Sequence, residues 1–411
     1  MLYPVFRVIM RFTFSSYFKK IKIYGAENIP DSGPVLFLSN HPCSFTEPML
    51  LACYQPRILN FLVRGDIFEN KFLKPILEGT HQIPIYRARD GFENLRKNKS
   101  TFDLVFQKLD RNETVLIFPE STTKCVRFLR PLQKGAAHIA IGAAVDHGLK
   151  DLLVIPCGVN FNNVLKAGED ANILIGEPIP IIQWIYNQTE GADLPTEITK
   201  LFTSEMNKVV LSVPSDISPE FYDQLSLFTF DKNDSQAERL QKHNQLISGI
   251  QNHKKTLESS LMEFAGKNVK VESRLFLIDE SFFKKIFTVI NSVFNFILGI
   301  PALIIFSLPL LLCRNFSNTI IKSLEYKPPL RLIFSILMIL IILLLTCIVL
   351  SINFSIWVGV LSIPVLLISL TFFLRFIYHL PELKLLFNIF SNQEKFIAIK
   401  SKIQKLILSE K

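Results

Sequence analysis

Residues 332–374 run for 43 positions without a charged side chain, between Arg331 and Arg375. A second charge-free run of 28 residues spans 286–313. A helix needs about 20 apolar residues to cross the hydrocarbon core of a bilayer, so the longer run suffices for two crossings. A globular core does not hide such lengths. The SINFS segment at 351–355 is the expected turn between spans at 332–350 and 354–374. In the shorter run, Gly299-Ile300-Pro301 falls near the middle. Proline removes a helical donor and clashes with the preceding turn, so each half is too short to span and a re-entrant hairpin over 286–313 is expected. The flanks Lys284-Lys285, the loop with Arg314, Lys322, Lys327 and Arg331, and the tail after Arg375 are all basic. The positive-inside tendency places them together on the cytoplasmic side, which two hairpins satisfy. The spans carry no ionisable residue to mark a transport path.

The rest of the chain reads differently. The whole is 49% hydrophobic with net charge +9, a balance that favours anionic partners such as phosphorylated substrates or acidic lipid headgroups. The charges are scattered and form no basic–aromatic stripe, which argues against nucleic acid. Six cysteines at 43, 53, 125, 157, 313 and 347 form no C-x-x-C pair, so neither a disulfide framework nor a zinc site is expected. The first 20 residues, MLYPVFRVIMRFTFSSYFKK, have basic residues within an apolar stretch and no small-residue cleavage site. They read as an interfacial amphipathic helix or as a core helix. From 20 to 180, apolar runs (KIKIYG, VLFLS, VLIFP, LLVIPCGVNF, ILIGEPIPI) alternate with helical windows near 45–54, 66–78, 92–110 and 134–147. This alternation predicts an α/β fold with a mixed sheet flanked by helices. A further helical stretch covers 185–212. A charged amphipathic helix over 235–265 lies within a helical connector, 216–283. The membrane region covers 284–376 and a basic cytoplasmic tail 377–411.

Four segments carry candidate chemistry. NHPCSFTEP places His41 at the end of an apolar strand, with Glu47 six residues on. Ser44-Phe-Thr-Glu47 also fits a capping box, in which Glu47 merely satisfies a helix terminus. Residues six apart lie about 120° apart around a helix, so the two side chains meet only if 41–44 is an irregular turn. GTHQIPIYRARD delivers Arg87 and Arg89, whose guanidinium forks suit phosphate oxygens. VLIFPESTTK ends a strand in Pro119-Glu120, followed by Ser121, Lys124, Arg127, Arg130 and Lys134; such a turn can bind an anion. LLVIPCGVNF has no carboxylate, imidazole or basic side chain, and its Pro156 and Gly158 read as packing positions.

In this order and at these intervals, the four segments resemble the glycerolipid acyltransferase (PlsC-like) family over roughly residues 20–180. The matching positions are His41…Glu47, Gly79…Arg87, Phe118-Pro-Glu120-Ser121 and Val154-Ile-Pro156. The details look most like the glycerol-3-phosphate acyltransferase branch. The resemblance implies an acyltransferase domain over 21–215, with His41 as general base and Glu47 as its orienting carboxylate. It implies Arg87, Glu120, Ser121, Lys124 and Arg127 as substrate-binding residues. The reaction would move an acyl chain from acyl-CoA or acyl carrier protein to glycerol-3-phosphate or dihydroxyacetone phosphate. Lysophosphatidate is the alternative acceptor, and a lipid-binding protein without catalysis is a further one. No metal or bound cofactor is implied. Three departures from the family stand out: Glu47 replaces Asp; Ser121 replaces Gly, a change that strains the backbone if φ is positive there; and Thr123-Lys124 replaces a Ser-His or Thr-Arg-Ser type of ending.

Overall fold

A computed structural model describes residues 2–86, 98–189, 191–231, 234–265 and 281–408. These divide into two compact units: Met1–Leu165, Glu169–Ser212 and Leu324–Tyr326 form the first, and the remainder the second.

The first unit is built on one eight-stranded sheet: β1 (Lys20–Tyr24), β2 (Val35–Ser39), β3 (Leu59–Arg64), β4 (Gln82–Ile85), β5 (Thr114–Ile117), β6 (Leu153–Phe161), β7 (Asp170–Ile175) and β8 (Ile179–Pro180). The order is β1-β7-β6-β2-β5-β3-β4, with β8 also on β6. Pairings are parallel except β6 with β7 and with β8, which are antiparallel. The mixed sheet expected from the sequence is thus observed. The central strands VLFLS and TVLI are buried at every position. That explains why they read as unbroken apolar runs: both faces of these strands are covered, so no alternation is required.

The helices of this unit are α1 (Leu2–Tyr17), α2 (Thr46–Tyr54), α3 (Lys74–Gly79), α4 (Asn98–Asp110), α5 (Gly135–Ile141), α6 (Ile181–Tyr186) and α7 (Leu194–Asn207). The first helix packs one face into the unit and leaves an apolar face bare. Tyr3, Met10, Phe14 and Tyr17 are buried, while Val5, Val8, Ile9 and Phe12 are exposed. Arg7 lies among the core contacts, its guanidinium donating to the carbonyls of Cys53 and Gln55 at the end of α2.

The second unit holds α8 (Pro219–Thr229), α9 (Gln236–Ala265), α10 (Phe282–Ile320), α11 (Lys327–Asn353) and α12 (Ile356–Leu408). Tyr222, Leu225 and Phe228 of α8 and Leu246, Ile250 and Leu257 of α9 form a core with Ile399, Ile403 and Ile407 of α12. A separate apolar cluster joins Ala302 and Phe306, Leu343, and Leu366, Leu370 and Phe373. Elsewhere these last three helices leave large apolar side chains bare, among them Ile304, Leu344, Ile352 and Trp357. Helices apolar on all sides and uncovered by protein belong in lipid. Three stretches, Phe282–Ile320, Leu324–Asn353 and Ile356–Pro381, are long and apolar enough to cross a membrane.

Two expectations need correction here. The hairpin expected to break at Pro301 is instead one helix, Phe282–Ile320, with Pro301 and Pro309 inside it. Neighbouring side chains can re-satisfy a helix weakened by proline, and Ser369 of α12 does so. Its hydroxyl donates to the Leu298 carbonyl at 2.8 Å and accepts from the Ala302 N–H at 3.1 Å. The tail expected as a separate segment from 377 is likewise continuous with the apolar helix before it, through Pro381.

Candidate active site

The strand β2 ends at Ser39, and the next residue sets the direction in which the chain leaves it. The Asn40 side chain pairs with the main chain of Val159 on β6, accepting from its N–H at 2.8 Å and donating to its carbonyl at 3.0 Å. This extends the parallel β2–β6 ladder beyond the last main-chain pair, Ser39 with Cys157. His41 therefore leaves the sheet at its carboxyl edge, where open α/β sheets bind their ligands.

Between His41 and α2 the chain makes the irregular turn that the sequence required. Ser44 has φ 44°, in the left-handed region, so it does not serve as a helix N-cap; the helix starts two residues later at Thr46. Glu47 lies in that first turn, wholly buried. Its Oε1 accepts from the Cys43 N–H, and its Oε2 is 3.5 Å from His41 Nδ1. The capping box expected at Ser44 is therefore not formed: one Glu47 oxygen ties down the turn at Cys43 and the other faces the imidazole. Among the described residues, neither Oε2 nor Nδ1 has another hydrogen-bond partner. The separation is at the outer edge of hydrogen bonding, as is common for catalytic pairs without substrate. Burial pushes the Glu47 carboxyl above its ordinary value, opposed chiefly by the hydrogen bond and charge of His41.

The imidazole stacks on Phe118 at the end of β5, with ring centroids 4.1 Å apart and planes 19° from parallel. Its side chain keeps 17% exposure, enough to leave Nε2 for a substrate once Nδ1 faces Glu47. Cys43 stands within the same turn, fully buried, its thiol 3.4 Å from Thr46 Oγ1. Burial, with the Glu47 charge behind it, raises the Cys43 pKa well above the ordinary thiol value.

The segment after β5 closes the site. Ser121 is exposed and has φ 57°, so the strain expected of a side chain at this position is present. Lys124 is exposed, and its N–H donates to the His41 carbonyl at 3.3 Å. Arg127 is half-buried. Glu120 is 5% exposed, and both its oxygens are engaged by protein. Oε2 accepts from the His41 N–H at 3.0 Å and from Arg130 Nη2 at 2.6 Å, and Oε1 from the Arg130 N–H at 3.0 Å. Arg87 and Arg89 lie outside the described residues.

The structure thus brings His41, Glu47, Glu120 and Lys124 together, with Ser121 beside Glu120 in sequence. Sequence reasoning gave Arg130 no role beyond membership in a basic run, although its guanidinium holds Glu120 and Thr122. It also missed Leu324–Tyr326. This short segment belongs to the first unit, where the Glu325 carbonyl accepts from the Cys43 thiol at 3.6 Å and Tyr326 meets Phe45 edge-on. No motif links residues so far apart, so only the fold reveals them. The fourth segment packs as expected: a Cβ on Gly158 would lie 1.9 Å from the Val209 carbonyl oxygen.

Known proteins resemble parts of this chain. A sequence model of the family described as Acyltransferase matches residues 20–160. Over 109 residues, 26% of this chain and 14% of the relative, the chain is 28% identical to glycerol-3-phosphate O-acyltransferase 1 of Saccharomyces cerevisiae. Over 182 residues, 43% of this chain and 79% of the relative, it is 24% identical to the 1-acyl-sn-glycerol-3-phosphate acyltransferase of Bacillus subtilis. The crystal structure of the LPA acyltransferase PlsC from Thermotoga maritima aligns with 50% of this chain and 79% of that one, at TM-score 0.37 and 16% identity. The chain spans only 14% and 16% of the length of its two yeast relatives. Residues 20–160, the stretch that the Acyltransferase family model matches, hold the His41–Glu47 pair and the turn that closes on it.

Proposed function

We propose that this protein is a membrane-bound O-acyltransferase that moves a fatty acyl chain from acyl-CoA or acyl carrier protein to a hydroxyl of glycerol-3-phosphate. The observation that carries the reading is the pairing of a wholly buried Glu47 with Nδ1 of a partly exposed His41 at the carboxyl edge of the sheet. Thioester-to-alcohol transfer requires the attacking hydroxyl to lose its proton. With Nδ1–H directed at Glu47, Nε2 carries the lone pair that takes it, and the carboxylate stabilises the imidazolium that forms. The hydroxyl then attacks the thioester carbonyl, the C–S bond breaks, and the proton passes from Nε2 to the departing thiolate. The N-terminus of α2 favours neutral imidazole before the reaction. Lys124 and Arg127, with Arg87, are the cations proposed for the acceptor phosphate.

Membrane lipids supply the setting, and three helices are long enough to enter it. The exposed apolar face of α1, flanked by Arg11, suits the bilayer interface. Lys284 and Lys285, at the start of α10, favour a cytoplasmic flank. A second reading, with lysophosphatidate as acceptor, is favoured by the Bacillus subtilis relative, of which the matched region covers 79%.

The test is thioester-dependent acylation by membranes expressing the protein, with each acceptor in turn, beside His41→Ala. Loss of a general base typically costs ~10²–10⁴ in rate. Transfer to glycerol-3-phosphate that falls by this factor supports the proposal. Transfer confined to lysophosphatidate selects the second reading. Full activity in His41→Ala removes the mechanism.

A further inference from the structure

We propose that Glu120 is a positioning residue for His41 and does not bind the acceptor; the inference rests on the reading of His41 as the base. The resemblance assigns Glu120 to the substrate glycerol, and its surroundings argue otherwise. A carboxylate offers about four lone-pair sites. Three already accept hydrogen bonds, from the His41 N–H, the Arg130 N–H and the Arg130 guanidinium. With 5% of its surface exposed, Glu120 has little left to offer a sugar alcohol. Its charge is balanced by Arg130 at 2.6 Å, and Arg130 is itself anchored on Thr122.

The effect of these bonds falls on one peptide. The His41 N–H is held by Glu120, and the His41 carbonyl is held by the Lys124 N–H. The segment after β5 therefore grips the base residue on both sides, 79 positions away in sequence. Phe118 of the same segment supports the ring. Nδ1 must reach Glu47 and Nε2 must reach a hydroxyl, so the placement of this peptide sets both distances. A misplacement of about 1 Å costs roughly 10²-fold in rate.

The test uses the full-length protein in detergent or vesicles. Glu120→Ala is expected to lower kcat by ~10²-fold while the acceptor KM stays within about two-fold, as suits a group that does not touch substrate. In a His41→Ala background, adding Glu120→Ala is expected to cause no further loss, because its effect passes through the missing imidazole. Glu120→Gln retains an oxygen for the His41 N–H and guards against a variant that fails to fold; it is expected to lose about ten-fold, again in kcat. A preserved kcat with acceptor KM raised about ten-fold or more would make Glu120 a substrate ligand and overturn the proposal. A readout independent of acyl transfer completes the test: diethyl pyrocarbonate modification mapped to individual histidine peptides. Release of the clamp is expected to speed modification of His41 several-fold and to leave His138 unchanged. An unchanged His41 rate in folded Glu120→Ala would overturn the clamp even if the acylation reading held. A faster rate would uphold it even if no acceptor were found.

Discussion

Ser121 and Glu47 each hold a side chain in a place that costs stability, and each cost can be measured. An L-residue in left-handed helical backbone loses roughly 1–2 kcal/mol, and Ser121 sits there at φ 57°. Glycine removes that strain but costs about 0.5–1 kcal/mol of unfolded-state entropy. Ser121→Gly is therefore expected to stabilise the protein by about 0.5–1 kcal/mol, read as a raised Tm in detergent; an unchanged or lowered Tm refutes the strain. For Glu47 the folded state binds its proton more tightly than the unfolded chain does, because burial raises its pKa. The folded state gains from this below the ordinary carboxylate value and loses the gain as pH rises through the raised one. Glu47→Gln should thus be more stable than the parent at neutral pH, with the advantage shrinking toward pH 4, while acylation falls. A stability difference independent of pH would contradict the buried ionisable carboxyl. His41 and Glu47 were legible as a pair because both lie in one short turn. The bonds of Glu120 were not, since one partner is on another strand's exit and the other, Arg130, looked like one basic residue among several.

Elements were legible where burial left a plain pattern. VLFLS, VLIFP and LLVIPCGVNF announce β2, β5 and β6 because central strands are apolar on both faces. The strand β3, LNFLVR, went unread: Asn60 interrupts it and Arg64 ends it, and its Asn is tied to Glu113 and the Thr114 carbonyl, partners that no local pattern shows. The helix α10 went the other way, since Pro301 spoke for a break and Ser369 on another helix cancelled it. Close packing gives the prediction at this scale. Gly158 leaves 1.9 Å between a would-be Cβ and the Val209 carbonyl oxygen, a backbone atom that cannot swing aside. Gly158→Ala is expected to destabilise the first unit by about 3 kcal/mol, the upper range for overpacking, and to lower its Tm. Gly33→Ala is the control for lost glycine freedom, having open space around its Cβ position but φ +90°. An equal loss in both variants would remove the steric argument.

The whole chain holds an α/β unit and a helical unit, with three membrane-length segments among the described residues. It is expected to remain with membranes through high salt and alkaline carbonate and to leave only with detergent. Release by carbonate would show that the apolar helices are covered in some other way. Sequence length and charge gave this division readily, because 43 uncharged residues admit few alternatives. A quieter feature is the Cys43 thiol, two residues from His41 in the same turn. It is buried, and its raised pKa keeps it protonated, so it is a poor nucleophile. A chain that parked the acyl group on such a thiol would exchange labelled free CoA into acyl-CoA with no acceptor present. This one should not: isotope exchange between donor and released carrier should wait for the acceptor hydroxyl, the kinetic mark of a single direct displacement within a ternary complex.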